Sequence, residues 1–262
     1  MHTWHWHSWN GLPYLSCSLL SRWPHGFFTQ QFWPRSPTEL VEVLQPTARV
    51  YRVTQVHGNR VVNTREMSPE VSSPDGQEIL PSKPDADGLL THEGDRAVWV
   101  CTADCSPVLI ADPQTGQVAA IHAGWRGTAA RIIPEAIAQM QAQGSSLPQL
   151  QVAIGPAIAG EVYQVQDDVA AQVCGTIVET DTPEQILSEV QQLPHPPVLA
   201  DAEPGRVRLD VRRVIQLQLA QMGIARDAIA IAPYCTYQNP DRFFSYRREA
   251  QKKVQWSGIV SQ

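Results

Sequence analysis

Three side chains of this sequence are the kind a metal ion selects. Thr102-Ala103-Asp104-Cys105-Ser106-Pro107 offers a thiol, and Ile121-His122-Ala123-Gly124-Trp125-Arg126-Gly127 offers an imidazole. Between them lie the apolar runs Pro107 to Ala111 and Val118 to Ile121, separated by the turn-forming pairs Asp112-Pro113 and Thr115-Gly116, so a hairpin-like return can bring Cys105 and His122 together. His57, in Thr54-Gln55-Val56-His57-Gly58-Asn59-Arg60, is expected at the end of another strand. One thiolate and two imidazoles form the N/S set that zinc accepts, and three protein ligands leave a fourth position for water or substrate. The same residues admit plainer readings. Cys105 can be an inert buried thiol and His122 a hydrogen-bonded core histidine, or Cys105 can be a nucleophile with His122 as its base.

Neighbouring residues carry their own alternatives. Gly124 and Gly127 flank Trp125-Arg126 just before a helical stripe, where backbone N–H groups, the helix dipole and a guanidinium could hold an anion; an ordinary turn with a surface arginine is the alternative. Trp125 is either packing or a stacking face for a base. Asp87 and Asp104 either orient groups at the site or cap turns. Cys101, four residues before Cys105, and Cys235 read as core thiols.

The elements that must position these residues follow from periodicity. Met1 to Asn10 alternates His5 and His7 with Trp4 and Trp6, the pattern of a half-buried strand rather than of a second metal site. Val50 to Val62 is β-rich, and residues 63 to 86, rich in Pro and Ser, are expected to be a loop acting as a flap or a variable insertion. Ala97 to Cys101, Val152 to Ile154 and Ile229 to Ile231 read as further strands. Ile132, Ile133, Ala136, Ile137 and Met140 form a helical stripe with Thr128 as its expected cap, and Val211 to Met222 is a helix stopped by Gly223. Residues 181 to 206 are expected to be irregular. Closely spaced central strands argue against a regular doubly wound sheet, so the expected fold is α+β: one domain over 1–262, of mixed β-sheets with flanking helices.

Composition narrows the partners. The 262 residues are 43% hydrophobic and 18% charged, enough apolar side chain for a large core. A net charge of −6 with scattered Lys and Arg supplies no attraction for a phosphate backbone, so no nucleic acid is expected as partner. Five widely spaced cysteines fit free thiols in a reducing compartment. The mildly apolar Leu12 to Leu20 stretch lacks a preceding Lys or Arg and contains Pro13, so neither a signal peptide nor a membrane span is read there, and a cytoplasmic location is expected.

Six segments taken in order carry a more specific signal: QVHG at 55–58, DADGLLT at 85–91, TADCSPVLIAD at 102–112, AAIHAGWRG at 119–127, IGPAI at 154–158 and FFSYRRE at 243–249. Together they resemble the laccase-domain family, also called polyphenol oxidase or multicopper-oxidase-like, of purine nucleoside phosphorylases, over roughly residues 25 to 249. That resemblance implies zinc bound by His57, Cys105 and His122 and, as substrates, phosphate with adenosine, inosine, guanosine or methylthioadenosine. It implies phosphorolysis, with adenosine deaminase and methylthioadenosine phosphorylase activity beside it. Asp87 and Arg126 would join the three ligands as catalytic residues, with Arg126, Ser245 and Arg247 meeting phosphate. Copper oxidation of phenols fits less well, because one His/Cys/His set does not make the several copper centres that oxygen reduction requires. The chain departs from the family pattern after His25-Gly26-Phe27-Phe28-Thr29, at Ala159 to Val165, where the family's cysteines are missing, and at Lys252 to Trp256. A zinc-binding scaffold without turnover is the reading those departures leave open.

Overall fold

A computed structural model describes residues 2–72, 78–79, 83–180 and 182–262. The chain opens with β1 (Trp4–Trp9), β2 (Leu12–Cys17) and β3 (His25–Phe28), followed by α1 (Pro37–Leu44) and β4 (Arg49–Tyr51). Next come β5 (Val61–Asn63), the small pair β6 (Val71–Ser72) and β7 (Glu78–Ile79), and β8 (Gly88–Thr91). β9 (Arg96–Thr102), β10 (Ser106–Ala111) and β11 (Val118–Ala123) lead into α2 (Trp125–Ala129) and α3 (Ile132–Ala142). β12 (Gln151–Ile154), β13 (Gln164–Gln166), α4 (Asp167–Cys174) and α5 (Pro183–Gln191) precede β14 (Val198–Ala200), β15 (Arg206–Leu209) and α6 (Val211–Gln221). β16 (Ile229–Ile231), α7 (Tyr246–Glu249) and β17 (Gln255–Val260) follow.

Two six-stranded sheets, ordered β1-β2-β3-β17-β9-β4 and β16-β12-β10-β11-β8-β5, pack face to face, as the expected mixed-sheet α+β architecture requires. Leu15, Phe27, Val98 and Ile259 of the first sheet meet Leu89, Leu109, Ala120 and Ala153 of the second. Val108, Ile110, Ile121 and Ile154 point the other way, into a core with Ile133, Ile137 and Met140 of α3 and Val214 and Ile215 of α6. Every residue of β10 and β11 is therefore buried, which is why their sequences run apolar without alternation. Leu40 and Val41 of α1 cover the outer face of the first sheet against Phe28 and Trp99. A third sheet, β13-β15-β14, lies beside α4 and α5.

Strand direction decides where chemistry can gather. β10 runs antiparallel to β11 with Pro107 opposite His122, and β11 antiparallel to β8, while β5 is parallel to β8. β12 is antiparallel to β10, and β16 is parallel to β12. The beginnings of β5, β8 and β10 and the ends of β11, β12 and β16 thus share one end of the central sheet. Cys105, Asp87 and His122 sit at those termini, and the segments after β12 and β16 leave the sheet beside them.

Most elements fall where the periodicity puts them, and the exceptions have local causes. β1 shows the expected alternation: His5 and His7 face outward, their ring nitrogens on the hydroxyls of Thr3 (2.8 Å) and Ser16 (2.7 Å), and neither joins a ligand cluster. Thr128 does not cap α3. It lies inside α2, and the cap is Arg131 at φ +61°. The stretch 181 to 206 is not irregular: Pro183 at the first turn and the Thr182 side chain, accepting from Gln185 N–H, start α5, and β14 follows. Residue 181 lies outside the described residues. Of the expected loop 63 to 86, residues 73–77 and 80–82 lie outside them as well, and β6 pairs with β7 in the rest. His57 is not at a strand end. It sits in a turn between β4 and β5 at φ +62°.

Candidate metal centre

His57, Cys105 and His122 each contribute one ligand atom to a group in which all three atoms lie within 4.8 Å of one another. The two imidazole rings meet edge to face, centroids 4.8 Å apart at 86°. His122 is buried and His57 exposed, so the cluster has a protein side and an open side. Two imidazoles and a thiol, His122 near the end of β11 and His57 and Cys105 on separate loops, match the donor chemistry of a soft to borderline divalent ion.

Asp87 builds this arrangement. It is fully buried, and its carboxylate accepts from His122 Nδ1 (2.8 Å) and from the backbone N–H groups of Val56 (3.2 Å), His57 (2.9 Å) and Gly58 (2.6 Å). Occupying Nδ1 leaves His122 Nε2 as the ligand atom, the second layer of control expected around a metal-binding histidine. The three backbone bonds hold the left-handed turn that presents His57. Burial raises the Asp87 pKa, but the hydrogen bonds from His122, Gly58 and His57 outweigh it and hold the carboxyl below its usual range. The same loop is docked by Gln55, whose Nε2 donates to the Cys101 carbonyl (2.8 Å) while Cys101 N–H donates to Gln55 Oε1 (2.8 Å).

The thiol is prepared in two ways. Burial pushes Cys105 up, yet hydrogen bonds and charge from His122 and His57 bring it down to about 6. His122 moves oppositely: burial lowers it, and Asp87 and Cys105 together raise it to about 9. Space is the second factor. A Cβ at Gly124 would lie 2.8 Å from Cys105 Sγ, and one at Gly127 would lie 2.8 Å from the Gly58 carbonyl. These glycines therefore let the HAGWRG turn close over the thiol and the His57 loop, a steric requirement beyond the turn chemistry read from sequence.

A small pocket opens beside the thiol, lined by Cys105, Trp125, Ile158, Tyr163 and Val211 among others. Asp104, next to Cys105 at φ +90°, organises its far wall. Its carboxylate accepts from Thr236 Oγ1 (2.6 Å), Ser245 Oγ (3.0 Å) and Arg247 N–H (2.7 Å), and its carbonyl accepts from Ile158 N–H (3.0 Å). Ser245 is thereby buried and engaged with Asp104. Arg126 is exposed and stacks its guanidinium 4.4 Å from the Trp125 ring centre; Arg247 does the same over Tyr163 at 4.7 Å and donates to the Gln164 carbonyl (2.8 Å). Cys101 is pushed up to about 11, chiefly by burial, and Cys235 is buried, where its sulfur accepts from Ala159 N–H (3.2 Å). Gln55 and Tyr163 are residues here that motif reading does not single out; Gln55 sits inside QVHG, and Tyr163 in the Ala159 to Val165 segment that departs from the family pattern.

Comparison with known proteins gives the chain a family and a shared fold. The family model described as multi-copper polyphenol oxidoreductase laccase matches residues 36–260. A purine nucleoside phosphorylase of Synechocystis is 49% identical over 261 residues, covering 98% of this chain and 97% of the relative, and one of Streptomyces coelicolor is 33% identical over 77% of this chain and 71% of its own length. Among solved structures, YlmD from Geobacillus stearothermophilus superposes with a TM-score of 0.80 at 25% identity, over 98% of both chains. With its motifs in order, its fold shared and most of its length matched, the chain belongs to the multi-copper polyphenol oxidoreductase laccase family.

Proposed function

We propose that this chain is a zinc-dependent purine nucleoside phosphorylase that also deaminates adenosine and cleaves methylthioadenosine. The observation that carries the reading is the His57–Cys105–His122 cluster at the edge of a pocket with an aromatic wall, in a chain nearly half identical to a protein named for that activity. His57, Cys105 and His122 would hold the zinc ion, which would supply Lewis acidity to a bound water or substrate. Asp87 fixes the His122 ring and the His57 turn, so the ligands need little rearrangement. Trp125 offers a face for the purine. Arg126 and Arg247 hold phosphate against the ribose C1′, while Ser245 acts through Asp104, keeping the Arg247 segment in place. In phosphorolysis a phosphate oxygen bonds C1′ as the glycosidic bond breaks, giving free base and ribose 1-phosphate. In deamination water adds at the purine C6 and ammonia leaves.

Incubation of the purified protein with adenosine, with and without phosphate, followed by separation of adenine, inosine and hypoxanthine, tests this. Adenine that appears only with phosphate, and inosine without it, are the expected products; no product from any purine nucleoside favours a non-catalytic zinc-binding scaffold. The lowered Cys105 thiol next to His122 favours one other reading, a cysteine hydrolase, and metal analysis separates the two: stoichiometric zinc engages the thiolate that a hydrolase needs free. The family's name points to several coppers, but among the described residues one group of three such ligands is found. All five cysteines are free, in keeping with a reducing cytoplasm, and no described helix is long and apolar enough to cross a membrane.

A further inference from the structure

Tyr163 lies in the Ala159 to Val165 segment, where the chain departs from the family pattern, yet its backbone and its ring are both held. It lines the same pocket as Cys105 and Trp125. Its carbonyl accepts from Leu209 N–H (3.0 Å) and its N–H donates to the Gly160 carbonyl (3.3 Å), which fixes the backbone. Arg247 covers its ring, and Arg247 is itself anchored through its backbone N–H to Asp104 and through Nη1 to the Gln164 carbonyl. Only the phenolic hydroxyl is left without a hydrogen-bond partner among the described residues. Tyr234, also packed in the protein, shows the ordinary case: its hydroxyl accepts from Trp6 Nε1 (2.8 Å). A half-buried phenol in a pocket wall whose hydroxyl is committed to no bond of the fold can donate to a ligand there without breaking one. One guanidinium, of Arg247, lies over the Tyr163 ring and another, of Arg126, over Trp125 of the same pocket, so the ligand favoured beside them is an anion.

We propose that the Tyr163 hydroxyl donates a hydrogen bond to an oxygen of the phosphate co-substrate, completing a cradle whose cationic members are Arg126 and Arg247. This inference rests on the phosphorylase reading for its ligand. Burial, with the charges of Cys105 and Asp104 behind it, pushes the phenol up to about 12 against the two guanidiniums, so it remains a donor throughout the neutral range. Sharing phosphate between two walls also gives the Arg-covered aromatics a common purpose: each ring stiffens an otherwise mobile guanidinium.

Tyr163→Phe keeps the ring under Arg247 and removes one oxygen. We expect the phosphate KM to rise about tenfold, the effect of losing one hydrogen bond to a charged acceptor, with the nucleoside KM, the bound metal and the unfolding temperature unchanged. Calorimetric titration with inorganic phosphate should weaken by the same factor. An unchanged phosphate KM, or a rise confined to the nucleoside KM, overturns the inference while leaving the phosphorylase reading intact. Should the unmutated protein show no phosphate-dependent turnover, that reading fails, and calorimetry decides the inference separately: weaker phosphate binding by Tyr163→Phe sustains it, and equal or absent binding by both proteins overturns it.

Discussion

Asp87 and Asp104 are both buried carboxylates at the ligand-bearing end of the central sheet, and each accepts hydrogen bonds from at least three donors. Their partners divide the site in two. Asp87 collects the QVHG turn and His122, so its work ends on the ligand atoms. Asp104 collects Thr236, Ser245 and Arg247 from the C-terminal segment and Ile158 from the segment after β12, so its work ends on the pocket wall. Cys105 adjoins Asp104 in sequence and meets His122, which Asp87 holds, in space; it joins the two halves. One carboxylate holds the His57 turn and the His122 ring and the other holds the pocket wall, although both are the same residue type at the same sheet end.

The sharpest way to break this division is Cys105→Ala, which should reduce bound zinc from one equivalent to none and abolish phosphorolysis and deamination together; full turnover in the metal-free variant would end the metal mechanism. Asp87→Asn comes next. Zinc affinity, read by chelator competition, should fall about 10- to 100-fold, because the amide cannot accept from all four donors and no longer fixes the His122 tautomer. The carboxylate's stabilising effect is complete at neutral pH and is lost only as pH falls through its depressed native pKa. Asp104→Asn should instead keep zinc at one equivalent, lower stability by about 1–3 kcal/mol in denaturant titration, and raise the phosphate KM through Arg247. Loss of zinc in that variant would show that the halves are not separable.

The smallest effect concerns the two neighbouring cysteines. In metal-free protein, iodoacetamide should label Cys105 with a midpoint near pH 6, its reactive thiolate appearing as pH rises through that value, and zinc should block the labelling. Cys101, held up to about 11, should stay unlabelled below pH 9. Peptide mapping distinguishes them, and equal labelling at pH 7 would show that the His57 and His122 environment does not act on Cys105 selectively.

Much of this protein was legible in its residues alone. Cys105 and His122 flank two apolar runs whose turn-forming separators dictate a hairpin, and a hairpin brings its open ends together whatever lies around it. Continuous apolar stretches announced strands covered on both faces, and Gly223, at φ +95°, stopped α6 where left-handed backbone is needed. The helix α5 escaped because a polar, Pro-containing segment becomes helical only when Ile186 and Val190 find a core to enter. Thr128 looked like a cap because capping residues are recognised by type, whereas the short α2 ahead of α3 is set by the close approach at Gly127.

Long-range partnership was the part that only the tertiary structure decided. Asp104 meets Thr236, Ser245 and Arg247, and Arg247 then covers Tyr163, contacts between segments far apart in the chain that no local pattern encodes. Ligand identity travels with side-chain chemistry, so His57, Cys105 and His122 could be named from sequence. What orients them, what walls the pocket and which polar groups remain free for a substrate depend on how the loops at one end of a sheet pack against each other, and packing exists only once the strands have taken their directions.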